Sequence, residues 1–183
     1  MLLEAAEKEI LAQGSAANVT VRAIARRAGL SHQTPGHVFG SRRGLLTALA
    51  AHEIKLMREH QEAALAAAGP ASALDRLRAA GIAYVSFAHS HQAMFTLALS
   101  GDVPDPSDPD FSHERVQLWL LLLRCVSQAQ AEGWRTNEAI EDVSLMCWAA
   151  VHGTAAAMAS GLLGLQFPGL AVEEIAARVV QSL

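Results

Sequence analysis

Glycine and proline cut this chain into lengths that suit helices. Gly14, Gly29, Gly40, Gly69-Pro70, the stretch from Gly101 to Pro109, Gly133, Gly161 and Pro168-Gly169 stand between segments whose apolar residues recur every three or four positions. Leu2–Gln13 places Leu3, Ala6, Ile10 and Leu11 on one face. Thr20 is an N-cap for Val21–Ala28, and Ser31 is one for a short helix from His32 to Val38. Longer segments follow at Arg42–Ala68, from Ser72 (Leu74, Leu77, Tyr84, Ala88), at His91–Leu99, and from Ser112 to Gly133 (Val116, Trp119, Leu120, Leu123, Val126). Asn137 can cap an eighth helix, with Ile140, Val143, Cys147, Thr154 and Met158 on one face and Leu145, Trp148, His152 and Ala155 on another. Val172–Ser182 is the ninth. The fold class is therefore all-α, with about nine helices.

Composition agrees. Ala and Leu, 36 and 24 of 183 residues, favour helices over a sandwich or barrel, and a mean hydropathy of +0.22 excludes general disorder. Two cysteines, Cys125 and Cys147, supply neither a disulfide scaffold nor a four-ligand zinc site. Val143 to Phe167 carries no charge and is long enough to span a bilayer. His152, Thr154, Ser160 and the glycines within it, and the acidic residues on both sides, favour a soluble helix buried on two sides. Glu4, Glu7 and Glu9 interrupt the first apolar residues, so no leader is read there and the cytoplasm is the expected compartment. There is no phosphate-binding glycine loop, HExxH helix or nucleophile elbow, and His89 and His91 point to different helix faces. No enzymatic activity, cofactor or metal is expected.

The front of the chain is basic. Residues 1–60 carry a formal charge of +3 and residues 61–183 carry −7, which suits a polyanionic partner for the front alone. Thr20 to Ser31 reads as a helix, a glycine turn and a new cap, with small Ala25 and Ala28 allowing close approach and Leu30 plugging the space between. That is the build of a helix-turn-helix, whose second helix enters the major groove. Over Leu3–Gly14, Thr20–Ser31, His37-Val38-Phe39 and Ser41–Leu46 the chain resembles the N-terminal domain of the TetR family of bacterial transcriptional regulators. Farther on, Trp148-Ala149-Ala150-Val151-His152-Gly153 is similar to the signature of the family's WHG class of ligand-binding domains. Tyr84, Phe87-Ala88 and His91 through Phe95 resemble another part of that class.

The resemblance implies a helix-turn-helix domain at 1–44 and a ligand-binding and dimerisation domain at 45–183. Thr20 and Arg22 would touch DNA phosphates, and Arg42 would hold another. Ser31, His32, Gln33, Thr34 and His37 would face the groove, with Gln33 suited to adenine. Pro35 and Gly36 stand where the family has an apolar residue and an aromatic, so the third helix is expected to be short or distorted and DNA affinity modest. Met57, Tyr84, Phe87, Met94, Phe95, Leu99, Trp119, Leu122, Leu123 and Cys147, with Trp148 and His152, would line a cavity for a small lipophilic effector. Homodimerisation is expected through the eighth and ninth helices, with Ala176, Val179, Val180 and Leu183 completing a four-helix bundle. The implied function is a repressor released by its effector from a near-palindromic operator. The alternative is a helical ligand-binding protein that has lost its hold on DNA.

Overall fold

A computed structural model describes residues 1–31, 33–99 and 101–183. Its elements are α1 (Leu2–Gln13), a 3-10 turn (Ala16–Asn18), α2 (Val21–Arg27), α3 (Thr34–Phe39), α4 (Arg42–Ala67), α5 (Ala73–Ser90), α6 (Gln92–Leu99), α7 (Pro109–Ala131), α8 (Ile140–Ala159), α9 (Leu162–Gln166) and α10 (Val172–Gln181). No strand occurs among the described residues. The chain divides into two compact units, one of Met1–Lys55 with His91–Arg115 and one of Leu56–Ser90 with Val116–Leu183.

In the first unit, α1 packs on α2 and α6. Ala6, Ile10, Ile24, Ala25, Leu45, Leu49, Met94 and Phe95 are buried there. Leu11, expected on the packed face of α1, is 52% exposed, and Glu9 takes the inward place instead. Its carboxylate accepts a 2.6 Å hydrogen bond from Arg27 Nε, which holds Glu9 below the usual carboxylate range. A second carboxylate, Glu53, is 1% exposed, and burial together with the charge of Glu7 pushes its pKa up to about 8.

In the second unit, α5 packs against α8 and α10. A core of Ala73, Leu77, Leu121, Cys125, Val126, Ala129, Val143 and Cys147 joins α5, α7 and α8, and both cysteines are free thiols. Burial raises both thiols, Cys147 to about 11. At Gly81, the α10 side chain of Val180 comes so near that an added Cβ would lie 2.8 Å from Val180 Cγ1.

Several boundaries differ from the sequence expectation, each for a local reason. Asp108 caps α7 by accepting from Phe111 N at 3.0 Å, and Pro109 is its first residue, so the helix starts before Ser112. Asn137 is not the cap of α8; that place falls to Ala139, with no side-chain capping bond. Gly161, at φ 77°, ends α8, and the five-residue α9 after it was hidden between two glycines. On α8 the buried positions are Val143, Ser144, Cys147, Val151 and Ala155, so Ala155 belongs to the packed face rather than to the second one. That second face, with Leu145 and Trp148, is exposed on this chain. Ala176 and Val180, assigned to a partner, are buried within this chain's own unit. Among the described residues no helix is long and apolar enough to cross a membrane.

Candidate nucleic-acid interface and effector site

The candidate nucleic-acid face is built by α2, the turn after it, and α3. Thr20 Oγ1 accepts from Ala23 N at 3.2 Å and fixes the start of α2. At its end, Leu30 N donates to Ala25 O at 2.9 Å and Gly29 N to Arg26 O at 3.1 Å. Those two bonds close the helix around Gly29 at φ 68°, a left-handed conformation that glycine adopts without strain. Arg22 and Arg26, one turn apart on α2, both face solvent.

Ser31 does not cap α3. Its hydroxyl accepts from Gln33 N at 3.2 Å in a local turn, and Gln33 is the cap residue. The helix therefore begins two residues later than expected and runs six residues. Pro35 consequently sits at the second helical position, where its missing N–H costs no intrahelical bond. The first such bond is His37 N to Gln33 O at 3.1 Å. Pro35 is buried and Phe39 half-buried, whereas Ser31, Gln33, Gly36 and His37 are exposed, Thr34 is half-buried, and Val38 is 59% exposed. Gln33 and His37, one turn apart, are thus both exposed, with Thr34 half-buried next to Gln33; His32 lies outside the described residues. Arg26 and Val38 were not singled out in the sequence. Their signal was helical phase, since Arg26 follows Arg22 by four residues and Val38 follows Thr34 by four.

Of the five arginines between residues 20 and 45, three bind inside the unit. Arg27 holds Glu9, and Arg43 donates to the carbonyls of Val103 and Pro104 at 3.3 and 3.4 Å. Arg42, nominated for a phosphate, donates to the carbonyls of Val19, Ala16 and Ala17 at 3.0, 2.6 and 3.3 Å. It ties the 3-10 turn to the start of α4 and keeps its charge beside Thr20. Among the described residues, Arg22 and Arg26 make no ion pair.

The nominated effector residues divide between the two units. Met94, Phe95 and Leu99 belong to the first, where Met94 and Phe95 are buried and Leu99 is 43% exposed. Met57, Tyr84, Phe87, Trp119, Leu122, Leu123, Cys147, Trp148 and His152 belong to the second. There Trp148 stacks on His152 with ring centroids 4.5 Å apart, and Tyr84 Oη lies 2.8 Å from His152 Nδ1. Burial lowers the imidazole pKa and raises that of the phenol. A neutral phenol and a neutral imidazole therefore share one hydrogen bond. A 240 Å³ hollow in the same unit is lined by Ala71, Ala73, Arg76, Gln128, Ala131 and Glu132, none of them nominated. Among the described residues, no cluster of three His, Cys, Asp or Glu side chains is arranged to hold a metal ion.

Two family profiles match this chain. Residues 2–49 match that of bacterial regulatory proteins of the tetR family, and residues 77–183, more than half of the chain, match the tetracyclin repressor-like C-terminal domain. The chain belongs to the TetR family. Among solved structures, this TetR-family protein is similar to a protein of unknown function from Rhodococcus sp. RHA1, with 28% identity, a TM-score of 0.84, and coverage of 99% of this chain and 90% of that one. It shares its fold with the TetR family transcriptional regulator PfmR from Thermus thermophilus (21% identity, TM-score 0.59, 98% and 94% covered). It also shares it with the transcriptional regulator FadR from Bacillus subtilis in complex with stearoyl-CoA (14% identity, TM-score 0.68, 98% and 94% covered). No curated protein matches the chain.

Proposed function

We propose that this TetR-family regulator is a repressor that binds a near-palindromic operator as a homodimer and leaves it when a small lipophilic effector binds. The observation that carries the DNA half is the exposure of Gln33 and His37, one turn apart at the start of α3, together with that of Arg22 and Arg26 on α2, the helix that packs against α3. In this reading Thr20 and Arg22 meet phosphates, and Gln33 pairs with a base edge, its amide matching adenine. Ser31, His32, Thr34 and His37 fill the rest of the groove contact, and the charge of Arg42 strengthens the field around Thr20. The exposed apolar face of α8, with Leu145 and Trp148, supports association of two copies. Two reading helices then lie about 34–36 Å apart, one DNA turn.

The apolar residues of the second unit support a lipophilic effector, as does the stearoyl-CoA bound by the FadR neighbour. Effector and operator then oppose one another by reciprocal coupling. The alternative, a ligand-binding protein that has lost DNA, draws on the engagement of Arg27, Arg42 and Arg43 inside the unit. Selection from random duplex DNA with the purified protein, followed by a salt titration on the selected sequence, decides between them. A near-palindrome whose affinity falls steeply with salt is expected; failure to enrich any sequence at low salt overturns the repressor reading.

A further inference from the structure

Gln61 occupies an unfavourable place for an amide. On α4 it follows Met57 by four residues and precedes Leu65 by four, so the three share one face. Met57 is 4% exposed, Gln61 is 8% exposed, and Leu65 packs on the core of the second unit. The Nε2 atom of Gln61 is buried and finds no hydrogen-bond partner among the described residues. Immediately before it, His60 meets the ring of Phe87 with centroids 5.6 Å apart, which brings α5 against α4 at this point. Tyr84 and Phe87, one turn apart on α5, are 5% and 6% exposed.

A buried donor left unpaired is costly, and a leucine or methionine in its place would carry no such cost. We propose that Gln61 is the polar anchor of the effector site, its amide donating to the carbonyl oxygen of an uncharged ester, thioester or amide on an apolar chain. This rests on the reading that the effector is lipophilic, and it adds the head group. A neutral carbonyl fits better than a carboxylate because the cation one turn away on α4, Arg58, already donates to both oxygens of Glu62 at 3.1 Å. Met57 and Leu65, one turn to either side on the same face of α4, supply the apolar contact beside the anchor.

Three probes of similar chain length test it by titrating the tryptophan fluorescence of the full-length protein: methyl decanoate, decanoate and undecane. Wild type should bind methyl decanoate about fivefold more tightly than either of the others, the worth of one net hydrogen bond. Gln61→Met should abolish that preference, keep its affinity for undecane, and melt no lower than wild type. Gln61→Asn, which keeps the amide but withdraws it by one carbon, should lose the preference as well. A preference that persists in both variants overturns the anchor and leaves the lipophilic effector standing. Tighter binding of decanoate overturns the neutral head group. If wild type binds none of the three, the lipophilic effector reading falls and takes this proposal with it.

Discussion

At the scale of single residues, two glycines of the first unit, Gly44 and Gly36, make opposite predictions. A Cβ on Gly44 would lie against the carbonyl oxygen of Phe39, so Gly44→Ala forces the junction of α3 and α4 apart. A loss of about 1–3 kcal/mol in urea unfolding is expected. Gly36 has helical neighbours and open space where its Cβ would go. Gly36→Ala should therefore gain about 0.5–1 kcal/mol by restricting the unfolded chain. Glu53 sets a pH dependence. Its folded pKa of about 8 stands above the ordinary 4.5, so the unfolded carboxyl ionises first and stability declines as pH rises between those values. The slope from this one group is at most about 1.4 kcal/mol per pH unit, and Glu53→Gln should remove it, raising the melting temperature most at pH 8. Glu9 acts in the opposite sense. Its lowered pKa means that the Arg27 contact stabilises the fold above the ordinary carboxylate range and is lost as pH falls.

At the scale of elements, the contact of α5 with α10 depends on Gly81. An added methyl would meet Val180 Cγ1 at 2.8 Å and Val151 Cγ1 at 3.3 Å, both of them side chains. Gly81→Ala should cost about 1–3 kcal/mol, and Val180→Ala in the same chain should recover part of it, a coupling that a double-mutant cycle reads directly. The start of α5 is held twice. Ser72 Oγ accepts from Asp75 N at 3.1 Å, and Glu132, at the end of α7, accepts from Ala73 N at 2.7 Å. The first of these bonds is a local pattern visible in the sequence. The second joins residues 59 positions apart and needs α7 to be in place.

At the scale of the whole molecule, the proposed operator complex has an electrostatic signature. Substituting Arg22 and Arg26 together by alanine should lower the slope of log affinity against log salt by about two per protomer, with a smaller loss of melting temperature than Arg27→Ala, because Arg26 acts on Glu9 only through its charge. Arg27→Ala should lower the melting temperature more, because it strands the carboxylate of Glu9 inside the first unit. An equal salt slope before and after the double substitution would place the phosphate contacts elsewhere.

What short-range chemistry controls was legible in advance. Thr20 as a cap, Gly14 and Gly29 as helix stops, and the extent of the helix from Leu2 to Gln13 depend on neighbours three or four residues away and appear in the structure as read, whereas the packed face of that helix does not, since Leu11 is exposed and Glu9 buried. Partner choice across distance was not legible. Arg42 and Arg22 look alike in a sequence, yet one is spent on carbonyls more than twenty positions back and the other is open to solvent. Ala176 and Val180 carried the right pattern for an interface, yet this chain buries both itself, Val180 against the narrow seat at Gly81. The cause is common to both cases. A cap or a turn is closed by bonds within its own segment, whereas burial and pairing are settled by whatever surface the tertiary fold brings opposite.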